Sequence, residues 1–300
     1  VYETVFRCDA VKKTMQKESR NLLQFYKRMT MNLVMLQTIK TQEYLELVQF
    51  LQKKGIRMLT VKGIICRELY PKPDYRISGD EDILEVHKSL FPPESEVYGD
   101  FNRFFMRSAE NPARILVEGT EILTLDYTEH LFYLICHAYK HFLHSGFGMR
   151  QVCDIIMYSN MYGEKINWQL LLGWSREIHG EFFAAALFKI GKKYLIFDEK
   201  KACFPEEWRK IKVDESLLLR DILDAGVYGY EGRERRHSSN LTLNEVSRQW
   251  NRERKNPVLQ TIFPSLKSMK NEFAFLKKIP FLLPVAWLIR ILRYEKEMRK

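Results

Sequence analysis

The chain has little cysteine, and its arrangement excludes the sites that cysteine usually builds. The 300 residues include five cysteines, which are an odd number, are scattered, and form no Cys-x-x-Cys pair. Such a pattern argues against a disulfide framework and against a cysteine zinc site. It favours reduced thiols in a reducing compartment.

Long apolar runs are also missing. The longest, Ile279 to Ile289, contains two prolines and is shorter than the roughly 20 residues that a bilayer requires. Residues 1–40 carry charges throughout, so we expect no signal peptide, no integral membrane segment and a cytoplasmic protein. Because Arg290 and Arg293 follow the apolar run, it fits either a core segment or a helix on a membrane surface, and we favour the core.

The chain has fewer acidic than basic residues. It also contains no internal repeats and no low-complexity tracts. Lysine and arginine number 48 against 38 aspartates and glutamates, which gives a net charge of +10. This balance favours anionic partners such as nucleotides, nucleic acid or an acidic surface, without choosing among them. Hydrophobic residues make up 46% of the chain, which excludes a disordered protein and supplies a substantial core.

The spacing of apolar residues predicts an α+β fold. Three- and four-residue intervals predict helix over residues 11–54, and the same pattern dominates after Thr128. Between them, a β-type run at 56–61 and a hairpin over 115–126 predict a small mixed sheet. The predicted regions are an N-terminal helical region (1–54), a core (55–127) and a larger C-terminal helical region (128–300).

The most informative pair of residues is Asp80 and Asp82. Residues two apart in a strand point to the same face, and two adjacent carboxylates repel unless a cation lies between them. Hard cations such as Mg²⁺ are bound by one or two carboxylates together with substrate phosphates. The pair fits a metal site, although by itself it fits a solvated surface pair equally well.

The residues before this pair favour a phosphate ligand. Ser78 and Gly79 form a turn where a phosphate can approach backbone N–H groups. Arg76 offers a bidentate donor, and Lys62-Gly63 lies between a predicted strand and a predicted helix, where amide groups attract anions. We predict that these five residues bind the phosphates of a nucleotide.

Seven segments of the chain occur in one order and at an approximate spacing that can be compared with known families. They are Val61-Lys62-Gly63, Leu69-Tyr70-Pro71, Arg76, Asp80-Glu81-Asp82-Ile83-Leu84, His137-Ala138-Tyr139-Lys140-His141, Arg150-Gln151-Val152-Cys153-Asp154, and the region from Ile262 to Arg290. In this order and spacing, which extend over most of the chain, they resemble a family of uncharacterised bacterial nucleotidyltransferases in the polymerase-beta-like superfamily.

The resemblance implies a transferase that moves a nucleotide from an NTP to an acceptor. Asp80 and Asp82 would hold two Mg²⁺ ions against the triphosphate, and a third carboxylate would complete the metal site. Lys140, His141 and Arg150 would line the nucleotide or acceptor side of the cleft. The acceptor stays open among a small molecule, a peptide, a protein and an RNA.

The third carboxylate departs from the family pattern. The family's carboxylate-hydrophobic-His strand lies well downstream of Asp-x-Asp, whereas Glu85-Val86-His87 comes three residues after Asp82. On one continuous strand Glu85 and Asp82 have opposite parity. Either residues are missing between Leu84 and Glu85, so that Glu85 begins a second strand over 85–91, or the protein has lost or rebuilt this ligand. We expect the first and predict Glu85 as the third catalytic and metal-binding residue.

His137 and His141 allow three interpretations. They lie four residues apart on a predicted helix and share a face, which Asp154 can join. This set fits packing and hydrogen bonding at a helix end, a zinc site, or the nucleotide cleft that the resemblance implies. Residue 138 is alanine, so the pattern is not that of a metalloprotease.

Two further functions compete with the transferase. A protein without its third carboxylate would be a nucleotide sensor or a scaffold on the same fold. An enzyme that adds nucleotides to RNA would also be basic, but basicity is its only support, since no zinc-finger or RRM motif occurs.

Overall fold

The computed structural model describes the chain in several stretches, and every structural statement below concerns these residues. They are residues 17–78, 82–85, 90–91, 99–144, 147–225, 273, 276 and 279–289. The chain divides into two compact units, Val1–Thr242 and Leu243–Lys300.

The first unit begins with a long helix, α1 (Lys17–Lys53), as the periodicity predicts. Its C-terminal half buries Tyr44, Leu45 and Val48 in a core with residues of the sheet. Gly55 ends it with a φ of 73°, a left-handed conformation that glycine adopts without the steric penalty of a Cβ atom. The Ile56 amide donates to the Leu51 carbonyl across this turn, as in a Schellman cap.

A four-stranded mixed sheet follows α1, with the strand order β2-β1-β4-β3. Strand β1 pairs antiparallel with β2 and parallel with β4, and β3 and β4 form the predicted hairpin. The α+β class and the small mixed sheet are therefore confirmed. The strands are β1 (Met58–Val61), β2 (Asp82–Glu85), β3 (Ala113–Val117) and β4 (Thr120–Thr124).

The register of the sheet places three chain segments at one edge. Val61, the last residue of β1, pairs with Asp82, the first residue of β2. Thr60 pairs with Thr124, the last residue of the parallel strand β4. The start of β2 and the ends of β1 and β4 thus lie at the same edge.

Helices precede and follow the strands along the chain. The helix over Tyr127–His144 is capped by Asp126, whose Oδ1 accepts the Thr128 amide at 3.0 Å, and its buried stripe includes Leu131, Ile135 and Phe142. The helices that follow α1 are α2 (Gly63–Arg67), α3 (Met106–Glu110), α4 (Tyr127–His144), α5 (Met149–Tyr162), α6 (Trp168–Glu177), α7 (Glu181–Tyr194), α8 (Glu206–Arg209) and α9 (Ser216–Ala225). Single turns of 3₁₀ helix occupy Pro73–Tyr75 and Gly163–Lys165, and a longer one Gly99–Phe105.

The second unit is described over a shorter stretch. A 3₁₀ turn at Pro280–Leu282 leads into helix α10, residues 283–289. Ala286 is buried with Phe273 and Leu276 in a small apolar cluster, as expected of a core segment, while Phe281 is 80% exposed. Within the described residues, every helix is too short or too polar to span a bilayer.

Candidate functional site

The turn between β1 and α2 holds a strained lysine. Lys62 has φ 64° and ψ −136°, and Gly63 follows with φ 37°. A non-glycine residue held at such a positive φ costs on the order of 1–3 kcal/mol, and such residues concentrate at functional sites. The backbone N–H of Lys62 donates to Nε2 of His130 at 3.3 Å, which helps to hold the turn against the first half of α4.

His130 connects this turn to β4. Its Nδ1 lies 3.1 Å from Oγ1 of Thr124. Because Nε2 accepts the Lys62 amide, Nδ1 carries the proton and donates it to that hydroxyl. Complete burial lowers the pKa of His130 to about 3, so the ring is neutral at physiological pH. The sequence pattern did not single out His130, since a histidine before an apolar helical stripe carries no distinctive spacing.

The segment that leads to the aspartates is held by Gln37 of α1. The Ser78 amide and hydroxyl both donate to Gln37 Oε1, at 3.0 and 3.1 Å. Gln37 Nε2 donates back to the Ser78 carbonyl at 3.3 Å. Gln37 is only 2% exposed, so the buried amide fixes the backbone two residues before Asp80. The predicted phosphate contact of the Ser78 backbone N–H stays a prediction; in this structure that N–H donates to Gln37.

Arg76 lies in a buried ion pair. Its Nε and Nη2 donate to the two carboxylate oxygens of Asp154 at 2.7 and 2.5 Å, and Tyr70 donates its hydroxyl to Asp154 at 2.8 Å. A third nitrogen, Nη1, reaches the Gly63 carbonyl at 3.3 Å. Burial opposes the charge of Arg76, but the Asp154 hydrogen bonds, together with the electrostatic effects of Cys66, Asp154 and Tyr70, outweigh it and raise the guanidinium pKa. Arg76, which we predicted to bind phosphate, thus ties α5 to the turn after β1.

Arg150 and the two predicted residues of α4 lie around His137. Arg150 donates from Nη1 to the Ile77 carbonyl at 2.5 Å. The rings of His137 and His141 are 4.5 Å apart between centroids. The charges of Lys62, His141, Lys140 and Arg150 all act on His137, and after burial they are the largest causes that lower its pKa well below the usual range. Four predicted site residues from three parts of the chain are therefore brought together.

The carboxylates are described only in part. Gly79 and Asp80 lie outside the described residues, whereas the backbone of Asp82 begins β2. Glu85 ends the same strand and pairs with Met58, so the expectation that Leu84 and Glu85 belong to different strands is wrong. Three residues of strand place Glu85 about 10 Å from Asp82, away from the edge that carries Lys62. As the third carboxylate, Glu85 stays a prediction that this register does not support.

A zinc site formed by His137, His141 and Asp154 finds no support. Asp154 binds Arg76 through both oxygens, and the described residues contain no group of three or more side chains placed to hold a metal ion. A separate cavity of about 350 Å³ lies beside the start of α4. Its lining residues, which include none of those predicted for the site, are Arg103, Phe104, Arg107, Asp126, Thr128, Glu129, Lys165, Asn167, Leu170 and Trp174.

Comparison with known proteins finds one similar family. Residues 83–191 match a family model described as an uncharacterised nucleotidyltransferase. This segment is therefore similar to an uncharacterised nucleotidyltransferase family. The resemblance seen in the motifs is thus confirmed for about a third of the chain, including His137, Lys140, His141 and Arg150. The match begins directly after Asp82, so the block from Lys62 to Asp82 precedes the matched nucleotidyltransferase segment. No curated protein and no solved structure matches the chain.

Proposed function

We propose that the protein is a magnesium-dependent nucleotidyltransferase that transfers an NMP from an NTP to an acceptor and releases pyrophosphate. The observation that carries the proposal is the gathering of Lys62, Lys140, His141 and Arg150 around His137, at the sheet edge where Asp82 begins β2. Within a nucleotidyltransferase family, a cluster of cations beside an Asp-x-Asp sequence matches the charges of a triphosphate and its metal ions.

The donor set fits hard metal ions. Asp80 and Asp82 offer carboxylate oxygens, which Mg²⁺ prefers, and the backbone of Asp82 lies beside Val61 and the Lys62 turn. Two bound Mg²⁺ ions would neutralise the charge that develops on the attacking and leaving oxygens. In this proposal the role of Asp80 and Asp82 is to hold and orient the nucleotide through those ions.

The reaction is an in-line displacement at the α-phosphorus. The acceptor oxygen forms a bond to that phosphorus, the bond from the phosphorus to the bridging oxygen breaks, and pyrophosphate leaves with the electron pair. The acceptor hydroxyl loses its proton to a base. Lys62, Lys140 and Arg150 stabilise the charge on the leaving phosphates.

Other residues position these groups. Gln37 and Arg150 fix Ser78 and Ile77 just before the aspartates. Arg76 holds the Gly63 carbonyl, so it acts on the Lys62 turn rather than on the phosphate. Contacts of phosphate with the amide groups of Gly63, Ser78 and Gly79 remain part of the proposal.

The test is pyrophosphate release from each of the four NTPs in the presence of Mg²⁺ and a cell extract that supplies acceptors. We expect release with the native chain and none with the Asp80→Ala/Asp82→Ala variant. The matched control, Glu206→Ala/Glu207→Ala, removes two carboxylates that are exposed on α8 and should retain full activity. Release that survives the loss of both aspartates would contradict the proposal.

The same assay separates the competing functions. NTP binding without pyrophosphate release, when the extract is active towards a control transferase, would favour a sensor or scaffold. Loss of release after ribonuclease treatment of the extract would assign an RNA acceptor. A Glu85→Ala variant that retains activity would show that another group completes the metal site.

A further inference from the structure

One buried nitrogen near the centre of the cationic cluster lacks a hydrogen-bond partner. Nε2 of His137 is buried and bonds nothing in the structure, although the ring is packed against Tyr133 and His141. Buried polar atoms without partners are rare in folded proteins, and an orphaned one calls for a missing partner. His130, seven residues earlier on α4, has both ring nitrogens bonded.

The surroundings of His137 indicate what that partner is. Among the described residues, the groups whose charges act on it are Lys62 from the turn after β1, Lys140 and His141 from α4, and Arg150 from α5. All of them oppose a positive charge on the imidazole. An anion that accepts hydrogen bonds satisfies the nitrogen and is attracted by the positive charges of Lys62, Lys140 and Arg150.

We propose that His137 is a phosphate ligand, which donates its Nε2–H to an oxygen of the nucleotide's phosphate chain and takes up a proton when that anion binds. The inference rests on the proposed function, because it places the phosphates among the same cations. Phosphate oxygens are acceptors, so they bond either the neutral Nε2–H tautomer or the imidazolium.

Proton uptake follows from the sign of the local charge. In the free protein, burial and then the electrostatic effects of Lys62, His141, Lys140 and Arg150 hold the pKa of His137 well below its usual value. A phosphate chain beside the ring replaces a repulsive field with an attractive one and raises that pKa. The ring is then protonated over a pH range in which it is neutral without ligand, so binding tightens as the pH falls through that range.

The probe is inorganic tripolyphosphate without metal, added to the full chain and followed by isothermal titration calorimetry at pH 6.5. Repeating the titration in buffers of different ionisation enthalpy gives the number of protons taken up. We expect uptake by the native chain, and for His137→Asn about tenfold weaker binding with the uptake reduced. The matched control is His179→Asn, because His179 is exposed and has a φ of 55°, which asparagine tolerates; it should match the native chain.

The NMR signals of the ring protons of the seven histidines give a second measurement, which uses the native protein and needs no variant. Among the histidines that the structure describes, tripolyphosphate should raise the strongly depressed pKa of His137 and leave the depressed pKa of His130 unchanged. The proposal is overturned if no depressed histidine shifts, if tripolyphosphate does not bind, or if His137→Asn binds with native affinity and proton uptake. Loss of NTP turnover in the aspartate variant concerns the proposed function alone, since this probe needs neither metal nor chemistry.

Discussion

Two polar centres inside the first unit contrast in how completely their groups are bonded. In the centre formed by Tyr70, Arg76 and Asp154, both carboxylate oxygens accept strong hydrogen bonds and the opposite charges lie in contact. In the centre around His137, the acting charges are all positive and a buried nitrogen has no partner. The first centre stabilises the fold, whereas the second, on our proposal, is arranged for a ligand.

The largest effect should come from breaking the first centre. Asp154→Ala leaves the buried Arg76 without its counter-ion, and removing one member of a buried pair costs about 3–5 kcal/mol of unfolding free energy. Urea unfolding followed by circular dichroism measures it. The matched control is Glu177→Ala, which removes the ion pair with Arg103. In that pair the Arg103 side chain is 58% exposed and the Glu177 side chain 51% exposed. Such exposed pairs contribute about 0–1 kcal/mol; equal losses in both variants would remove the contrast.

His130 gives the next effect, which depends on pH. Its folded pKa of about 3 lies below the unfolded value of 6.5, so the unfolded chain binds the proton first. The stabilisation is complete above pH 6.5 and is lost as the pH falls from there towards 3, by about 1.4 kcal/mol per pH unit. Unfolding free energies measured at pH 7, 6 and 5 should fall less steeply in His130→Gln. An unchanged slope would show that His130 is protonated in the folded state.

A smaller loss of stability is expected where Gln37 anchors the segment before Asp80. Gln37→Ala removes both directions of the pairing with Ser78 and should cost about 1–3 kcal/mol. Pyrophosphate release should fall by a larger factor than the folded population does, because the aspartates lose their fixed approach. Thr38→Ala is the control. Thr38 is the next residue in the sequence, and its hydroxyl donates to Asp74 in an exposed position. Activity that merely follows the folded fraction would reduce Gln37 to a structural role.

The smallest change in stability is expected at His137. Replacing it with asparagine removes no hydrogen bond from Nε2, so the unfolding free energy at pH 7 should stay within about 1 kcal/mol of the native value. Thermal unfolding of His137→Asn and His130→Asn side by side makes the comparison direct. A loss at His137 as large as that at His130 would mean that the ring stabilises the fold and is not held for a ligand.

The sequence predicted local features well, because they depend on neighbours in the chain. The helix that ends before Gly55, the strand over 58–61 and the hairpin before α4 follow from periodicity and turn residues. Each of these predictions needed only a short window of residues. The cleft role of Lys140, His141 and Arg150 was implied by the family resemblance and stays a prediction, although the charges of all three act on His137.

Long-range partners could not be predicted in this way. Arginine binds carboxylate and phosphate through the same fork of donors, so the sequence could not show that Arg76 bonds Asp154, 78 residues away. Gln37 lies in an ordinary helical stretch, and only the folded chain brings it to Ser78. For Glu85 the sequence allowed either one continuous strand or a break after Leu84, and the structure has the continuous strand.

The backbone at Lys62 also has a consequence for protein engineering. Glycine is the residue that a φ of 64° suits best, and a glycine there would relax the turn while removing a cation from the cluster. A screen that selects for heat resistance alone would therefore enrich Lys62→Gly. The proteins recovered would be more stable but, on our proposal, catalytically inactive. Non-glycine residues with an unfavourable backbone conformation, such as Lys62, are the ones that such a screen should hold constant.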